Sequence, residues 1–375
     1  MNRYSDILAE YSRIGRLRHM PDGDIPAGMI DLSGNDYLGI GAKGRMAELF
    51  LKEAGRTSCF SSGASRLLLS AQKPYAALEN TLSVLYGKEA LLFNSGYHAN
   101  VGAVSALAVP GTLIVCDKLV HASVIDGITL SRAPFVRFRH NDVASLRKVL
   151  EKYSADYERI LVIVESVYSM NGDIAPLADI TALKKDFPAM MLYVDEAHAF
   201  GVRGRMGLGL CEEHGLIGSV DVIIGTFGKA CASVGAFVAS SAVMKEYLLN
   251  SARSFIFSTA LPPINIEYTH FVLQKMINMG DQRDYLAFIS KRFASGISAI
   301  TGQPVLSESQ IVPLMAGSNE RALHLSDVLR KRGILALPIR RPTVPPGTER
   351  LRFSLNALLT ESDVDHVLNE IDAVI

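Results

Sequence analysis

The chain has 375 residues, 49% of them hydrophobic and 20% charged, which is the composition of an ordinary globular protein with one large or two modest domains. Its 38 basic and 38 acidic side chains cancel, and no long Lys/Arg run interrupts that balance. This excludes the electrostatic footprint of a nucleic-acid or anionic-membrane binder and points to a small-molecule partner.

In chain order, the opening MNRYSDILAEYSRIGRLRHM lacks the apolar core of a signal peptide. No stretch of about twenty residues is free of charges and breakers, so no membrane span is predicted and a cytoplasmic protein is expected. Residues 1–45 read as an N-terminal arm that runs into MIDLSGNDYLG, and PYAALENTLSVLYG predicts a helix. From about residue 111, GTLIVCDK, RILVIVESVYS, MMLYVDEAH, VDVIIGTFGK and VGAFVASS are apolar throughout rather than alternating, as strands buried on both faces of a parallel or mixed sheet should be. DVASLRKVLEKY and LADITALKKDF between them read as amphipathic helices, so residues 46–285 form a doubly wound α/β layer. Residues 286–375 change to strand, helix, strand, strand, helix (IVPLMAG, ERALHLSDVLRKRG, ILALPIR, RLRFSLNA, SDVDHVLNEIDAV), a smaller α+β domain. The four cysteines, Cys59, Cys116, Cys211 and Cys231, form no CxxC pair and read as reduced core residues; no metal site is expected.

Open α/β sheets bind ligands outside the carboxyl ends of their strands. There the sequence places Glu165, Ser166 and Ser169, then Asp195 and His198, then Thr226 and Lys229. Each alone reads as a helix cap or a solvated loop residue. Together, a lysine, an aspartate and hydroxyl-bearing loops are what pyridoxal phosphate requires: a Schiff-base amine, a carboxylate for the pyridinium nitrogen, and donors for the phosphate. The lysine of IIGTFGKACAS follows an apolar run and a glycine with no acid beside it, a setting that lowers an amine's pKa toward that of a usable nucleophile. Competing motifs fail on inspection. Asp195-Glu196-Ala197-His198 matches a Walker B box, but Ile223 and Ala230 stand where a phosphate loop needs Gly and Ser/Thr. The GxGxxG of Gly39, Gly41 and Gly44 lacks its acidic partner about twenty residues on.

The ordered segments NDYLG, SGASRL, LEN, FNSGYHAN, HASVIDG, ESVYSMNGDIAPL, VDEAHAFGVRG, GTFGKA, FIFSTALPP and TVPPGTERLR resemble the α-oxoamine synthase family of pyridoxal-phosphate enzymes over nearly the whole chain. The resemblance implies the aspartate-aminotransferase-like fold (fold type I), with a mostly parallel sheet in the large domain. It implies Lys229 as the Schiff-base lysine, Asp195 at the pyridine nitrogen, His198 at the phenolic oxygen and His121 stacked on the ring, against a plain helix-capping role for His121. Gly96 and Tyr97 would offer amides to the cofactor, Thr226 its hydroxyl to the phosphate, and Ser169 a contact near the ring. Ser258 and Thr259 would reach the phosphate of the other subunit of a homodimer with shared active sites.

For substrates, the resemblance implies Arg352 as the clamp on the amino-acid carboxylate, against a half-exposed arginine on an alternating strand. Asn35 and Thr343 fall to the acyl side, and Arg18, with Arg16 as an equal candidate, to the far end of the acyl chain. The implied reaction is a decarboxylative condensation of L-alanine with an acyl thioester; the alternatives are a relative using glycine or serine, and a non-catalytic paralogous subunit, which would be expected to lack the lysine. Two segments depart from the family pattern: SAQKPYAALE lacks a glycine and a histidine before the helix, and Ala232 stands where glycine is common.

Overall fold

A computed structural model describes residues 2–20, 25–26, 28–54, 59–70 and 72–375; of the SAQKPYAALE segment, Ala71 lies outside them. The strands in chain order are Ile30–Asp31 (β1), Glu89–Phe93 (β2), Thr112–Asp117 (β3), Phe135–Phe138 (β4), Arg159–Glu165 (β5), Met190–Asp195 (β6), Val222–Thr226 (β7), Ala236–Ser240 (β8), Ile311–Met315 (β9), Ile334–Leu335 (β10), Leu337–Ile339 (β11) and Arg350–Ser354 (β12). The chain divides into two compact units: Leu38–Tyr168 with Ile174–Arg283, and Met1–Tyr37 with Ser169–Asp173 and Asp284–Ile375.

The larger unit is built on a seven-stranded sheet of order β2-β8-β7-β6-β5-β3-β4. β3, β6, β7 and β8 consist almost wholly of buried residues, and β5 is buried after Arg159, which is why they read as continuous apolar runs. All neighbours are parallel except β8, which runs antiparallel to β2 and β7; VGAFVASS is therefore the reversed strand of a mixed sheet. Alternate residues, among them Phe93, Ile114, Cys116, Ile163, Ile224 and Val238, pack one face of the sheet against Ala99, Ala103, Val104, Val124 and Ile128. Those five lie on the helices Gly96–Leu107 and Ala122–Ser131. At Gly127 a Cβ would stand 2.9 Å from Val104 Cβ, so the two helices meet as closely as they do because that residue has no side chain. The sequence reading passed over β2 and β4. EALLF is short, and FVRF forms a largely exposed edge strand without a continuous apolar run.

The smaller unit carries the three-stranded antiparallel sheet β11-β12-β9 and the parallel pair β1-β10. Met1–Tyr37 are grouped with this unit. Their helix Asn2–Arg13 is followed by Ile14, whose carbonyl accepts from Asn319 Nδ2 at 2.7 Å, and by Gly15, whose carbonyl accepts from Arg340 Nη1 at 2.8 Å. The later division between the units falls at Arg283/Asp284, within the helix Gly280–Thr301. ILALPIR is two strands: β10 pairs with β1, β11 pairs with β12, and Ala336 between them accepts Ser326 Oγ at 2.8 Å. β12 is buried at every position, so the half-exposed alternation read from RLRFS is overturned by its central place between β11 and β9. Cys116, Cys211 and Cys231 are buried, whereas Cys59 is exposed and is not a core residue. Among the described residues no helix is long and apolar enough to cross a membrane.

Candidate active site

In the larger unit, the parallel strands bring Phe93, Asp117, Glu165, Asp195 and Thr226 to one edge of the sheet. After β2 the chain turns into the helix Gly96–Leu107, capped by Ser95, whose Oγ accepts from the His98 amide at 3.2 Å. A Cβ on Gly96 would lie 3.6 Å from Thr226 Oγ1, so the first turn of this helix sits against the end of β7. Helix N-terminal amides beside a hydroxyl form an anion site suited to a phosphate. Thr226 Oγ1 donates to the Gly235 carbonyl at 3.1 Å and accepts from the Gly228 amide at 3.3 Å, which fixes its position. Tyr97 is exposed and donates its hydroxyl to Asp126 Oδ2 at 2.6 Å.

Beyond β7 stands Lys229, with Nζ 2.8 Å from Nε2 of the buried His198 in the turn after β6. Asp195, the last residue of β6, is only 4% exposed and has both carboxylate oxygens engaged. Oδ1 accepts from the Ala197 amide at 2.8 Å and Oδ2 from Asn100 Nδ2 at 2.7 Å. Asn100 in turn accepts from Tyr193 Oη at 2.6 Å and donates to Ser123 Oγ at 3.0 Å. Ser123 Oγ lies 2.7 Å from His121 Nδ1. Asn100, Tyr193 and Ser123 were not singled out in the sequence; Asn100 sits inside FNSGYHAN, but nothing in its spacing announces a partner 95 residues away.

His121 caps the helix Ala122–Ser131, its Nδ1 accepting from the Ser123 amide at 3.2 Å, so the capping role is realised. An accepting Nδ1 leaves the proton of a neutral ring on Nε2. Although solvent reaches His121, loss of water around the ring lowers its pKa; Asp195 and Asp126 pull upward and the Lys229 cation adds to the lowering. Glu165 is buried beside this group. Burial first, then the Asp195 charge, raise its carboxyl well above the ordinary range against the pull of Lys229, and its Oε1 has no hydrogen-bond partner. Ala232, joined by its amide to the Lys229 carbonyl at 2.8 Å, has φ +45°, in the left-handed region where a Cβ is unfavourable.

The smaller unit assembles a second cluster. Arg352 on β12 is 5% exposed and donates Nη2 to Asn35 Oδ1 at 2.9 Å and to Tyr37 Oη at 3.2 Å, while its Nε is buried without a partner. Arg18 Nη2 donates to Thr343 Oγ1 at 3.0 Å, so two residues predicted on the acyl side meet. Arg16 instead stacks on Tyr11, 4.8 Å from the ring centroid. Ser169 belongs to the short Ser169–Asp173 stretch of this smaller unit and not to the Lys229 cluster's unit. Ser258, in the larger unit, accepts from Asn94 Nδ2 of its own chain at 2.8 Å, and Asn94 also donates to the Thr259 carbonyl at 2.7 Å.

A family model for class I and II aminotransferases matches residues 27–371. The chain belongs to that family. It is 43% identical to the 8-amino-7-oxononanoate synthase of Haemophilus ducreyi, over 98% of this chain and 99% of that protein. Among solved structures it is similar to a serine palmitoyltransferase from S. paucimobilis with bound PLP-myriocin aldimine, at TM-score 0.89 and 30% identity, covering 99% of this chain and 97% of that one. It is also similar to the 8-amino-7-oxononanoate synthase of Francisella tularensis, at TM-score 0.74 and 28% identity, covering 92% and 97%. Within the family the chain groups with the α-oxoamine synthases, and the fold is the aspartate-aminotransferase-like α/β fold. It is an enzyme of the acyltransferase type.

Proposed function

We propose that this chain condenses L-alanine with a pimeloyl thioester, with loss of carbon dioxide, to give 8-amino-7-oxononanoate in biotin synthesis. The observation that carries the reaction class is the Lys229 amine 2.8 Å from His198, on the sheet edge that also ends in the fully engaged carboxylate of Asp195. The near-full-length likeness to the Haemophilus ducreyi protein supports this choice of substrates.

Pyridoxal phosphate fits the donor set: an amine, a fixed carboxylate, and helix amides beside a threonine hydroxyl. When bound, it supplies an electron sink for charge developing at the amino-acid Cα. Asp195, held from both sides, would face the pyridine nitrogen and favour its protonated form. His198 would hydrogen-bond the phenolic oxygen and His121 would lie against the cofactor ring. Gly96 and Tyr97 amides would bind the phosphate, joined by the Thr226 hydroxyl once it turns its proton from the Gly235 carbonyl, with Ser169 near the ring and Ser258 and Thr259 toward the partner subunit's phosphate in a homodimer. The Lys229 amine would hold the cofactor aldehyde and would serve as the base for the Cα proton; positioned general-base help of this kind is worth about two to four orders of magnitude. The neighbouring His198 Nε2 orients that amine. Arg352 holds the alanine carboxylate as a planar fork, Asn35 and Thr343 line the acyl side, and Arg18 pairs with the carboxylate at the far end of the acyl chain.

The likeness to serine palmitoyltransferase supports a second reading, a serine-using long-chain acyltransferase of the same mechanism. The test is turnover of alanine, glycine and serine, each with pimeloyl, succinyl and palmitoyl coenzyme A, measured by thiol release. Alanine with the pimeloyl donor is the expected productive pair. Serine with palmitoyl coenzyme A would install the second reading, and glycine with succinyl coenzyme A would move the assignment to an aminolevulinate synthase. Lys229→Ala should abolish turnover with every pair, and borohydride should no longer fix pyridoxal phosphate to the chain by mass spectrometry.

A further inference from the structure

A cavity of about 420 Å³ opens inside the smaller unit, a size common for small-molecule sites, and none of its lining residues has a role in the proposed reaction. Ile300, Val305 and Leu325 make its walls aliphatic, and Arg321, Arg350 and Asn171 also line it. Arg350 is only 6% exposed. Its Nε donates to the Thr348 carbonyl at 2.8 Å, and its Nη1 to the Met170 carbonyl at 3.3 Å and to Asn171 Oδ1. All of these acceptors are neutral. The adjacent Glu349 is engaged by Arg341 at 2.6 Å, and no described carboxylate forms an ion pair with Arg350 or Arg321. Burial lowers the Arg350 pKa against the opposing pull of Asp173 and Glu349.

We propose that this cavity binds a small amphipathic carboxylate, its head on Arg350 and Arg321 and its aliphatic body against Ile300, Val305 and Leu325. A guanidinium donates two parallel hydrogen bonds to a carboxylate, and such a charge-assisted pair is stronger than its neutral counterparts. The apolar walls favour a hydrocarbon chain over a bare inorganic anion. Two arginines that form no ion pair with a described carboxylate disfavour cationic occupants.

The chain contains no tryptophan, so Leu306→Trp at the exposed rim of the cavity installs a single local fluorophore. In that background, octanoate titrated into the full-length holoprotein should shift the emission saturably, and octanol should bind at least about tenfold more weakly. Arg321→Ala should weaken octanoate about tenfold and Arg350→Gln should weaken it further, whereas Arg18→Ala should leave it unchanged. Absence of a saturable shift overturns the proposal. So does equal binding of octanol, insensitivity to Arg321→Ala, or loss on Arg18→Ala, which would place octanoate at the acyl side of the proposed reaction. Should Arg350→Gln fail to fold by circular dichroism, Arg321→Ala and the octanol comparison decide the matter.

Discussion

The two polar clusters, one in each unit, use the same residue types with opposite charge. In the larger unit Asn100 donates to the Asp195 carboxylate and accepts from Tyr193 Oη. In the smaller unit Asn35 accepts from the Arg352 guanidinium and, at 3.0 Å, from Tyr37 Oη. The difference is in completion. Both oxygens of Asp195 are engaged by the protein, whereas Arg352 keeps a buried Nε without a partner. An unsatisfied buried donor is costly, so a group left in that state calls for a reason. The anion is a finished part of the scaffold, whereas the cation keeps an open donor, consistent with the substrate-clamping role proposed for it.

The sharpest way to break this comparison is Asp195→Asn. If the carboxylate acts through its charge, kcat should fall about a thousandfold while cofactor content by absorbance is retained. Near-normal turnover would remove Asp195 from its role. Arg352→Lys should raise the KM for alanine roughly tenfold to a hundredfold with a smaller change in kcat, since an ammonium cannot reproduce the bidentate fork. An unchanged KM would mean that the unsatisfied Nε marks no substrate site. Asn100→Ala leaves Asp195 charged but loosely held; loss of one charge-assisted hydrogen bond is worth about 1.5–3 kcal/mol, so kcat should drop roughly tenfold to a hundredfold, with little effect on the KM for alanine. If KM moved instead, Asn100 would serve binding rather than positioning of the anion.

Glu165 adds a pH dependence that belongs to the anionic cluster. Its carboxyl is held well above the reference value of 4.5, so above that value the folded chain keeps a proton that the unfolded chain has released. Folding then takes up a proton, and this residue's contribution makes stability decline as pH rises from about 4.5 toward the raised pKa. Glu165→Gln mimics the neutral form and should flatten that decline, read as urea midpoints between pH 5 and pH 8. Parallel curves for the two proteins would mean that Glu165 does not carry the proton. The smallest effect concerns strain: among the described residues the non-glycine positions with positive φ, Arg132, Asn141 and Ala232, all lie in the larger unit. Ala232→Gly should stabilise the protein by about 1 kcal/mol, because glycine adopts the left-handed conformation without the Cβ clash. A lower unfolding midpoint in the variant would show that alanine is not strained there.

Sequence alone determined the buried strands β3, β5, β6, β7 and β8, because strands covered on both faces must be apolar without interruption, and that pattern survives in one dimension. It also determined that Asp195, Thr226 and Lys229 stand at or just beyond strand ends, since each directly follows or closes such a run. Only the tertiary structure decided that VGAFVASS runs antiparallel, because hydrophobicity carries no direction. It alone made Arg352 a buried residue of a central strand, since RLRFS alternates in polarity whether β12 is an edge or a centre. It alone joined the first 37 residues to the C-terminal ones, through bonds such as Asn319 to Ile14 that span 305 positions. Asn100 depended on it most. A hydrogen bond bridging 95 residues leaves no periodicity and no local propensity, and exists only once the helix Gly96–Leu107 is packed against the sheet.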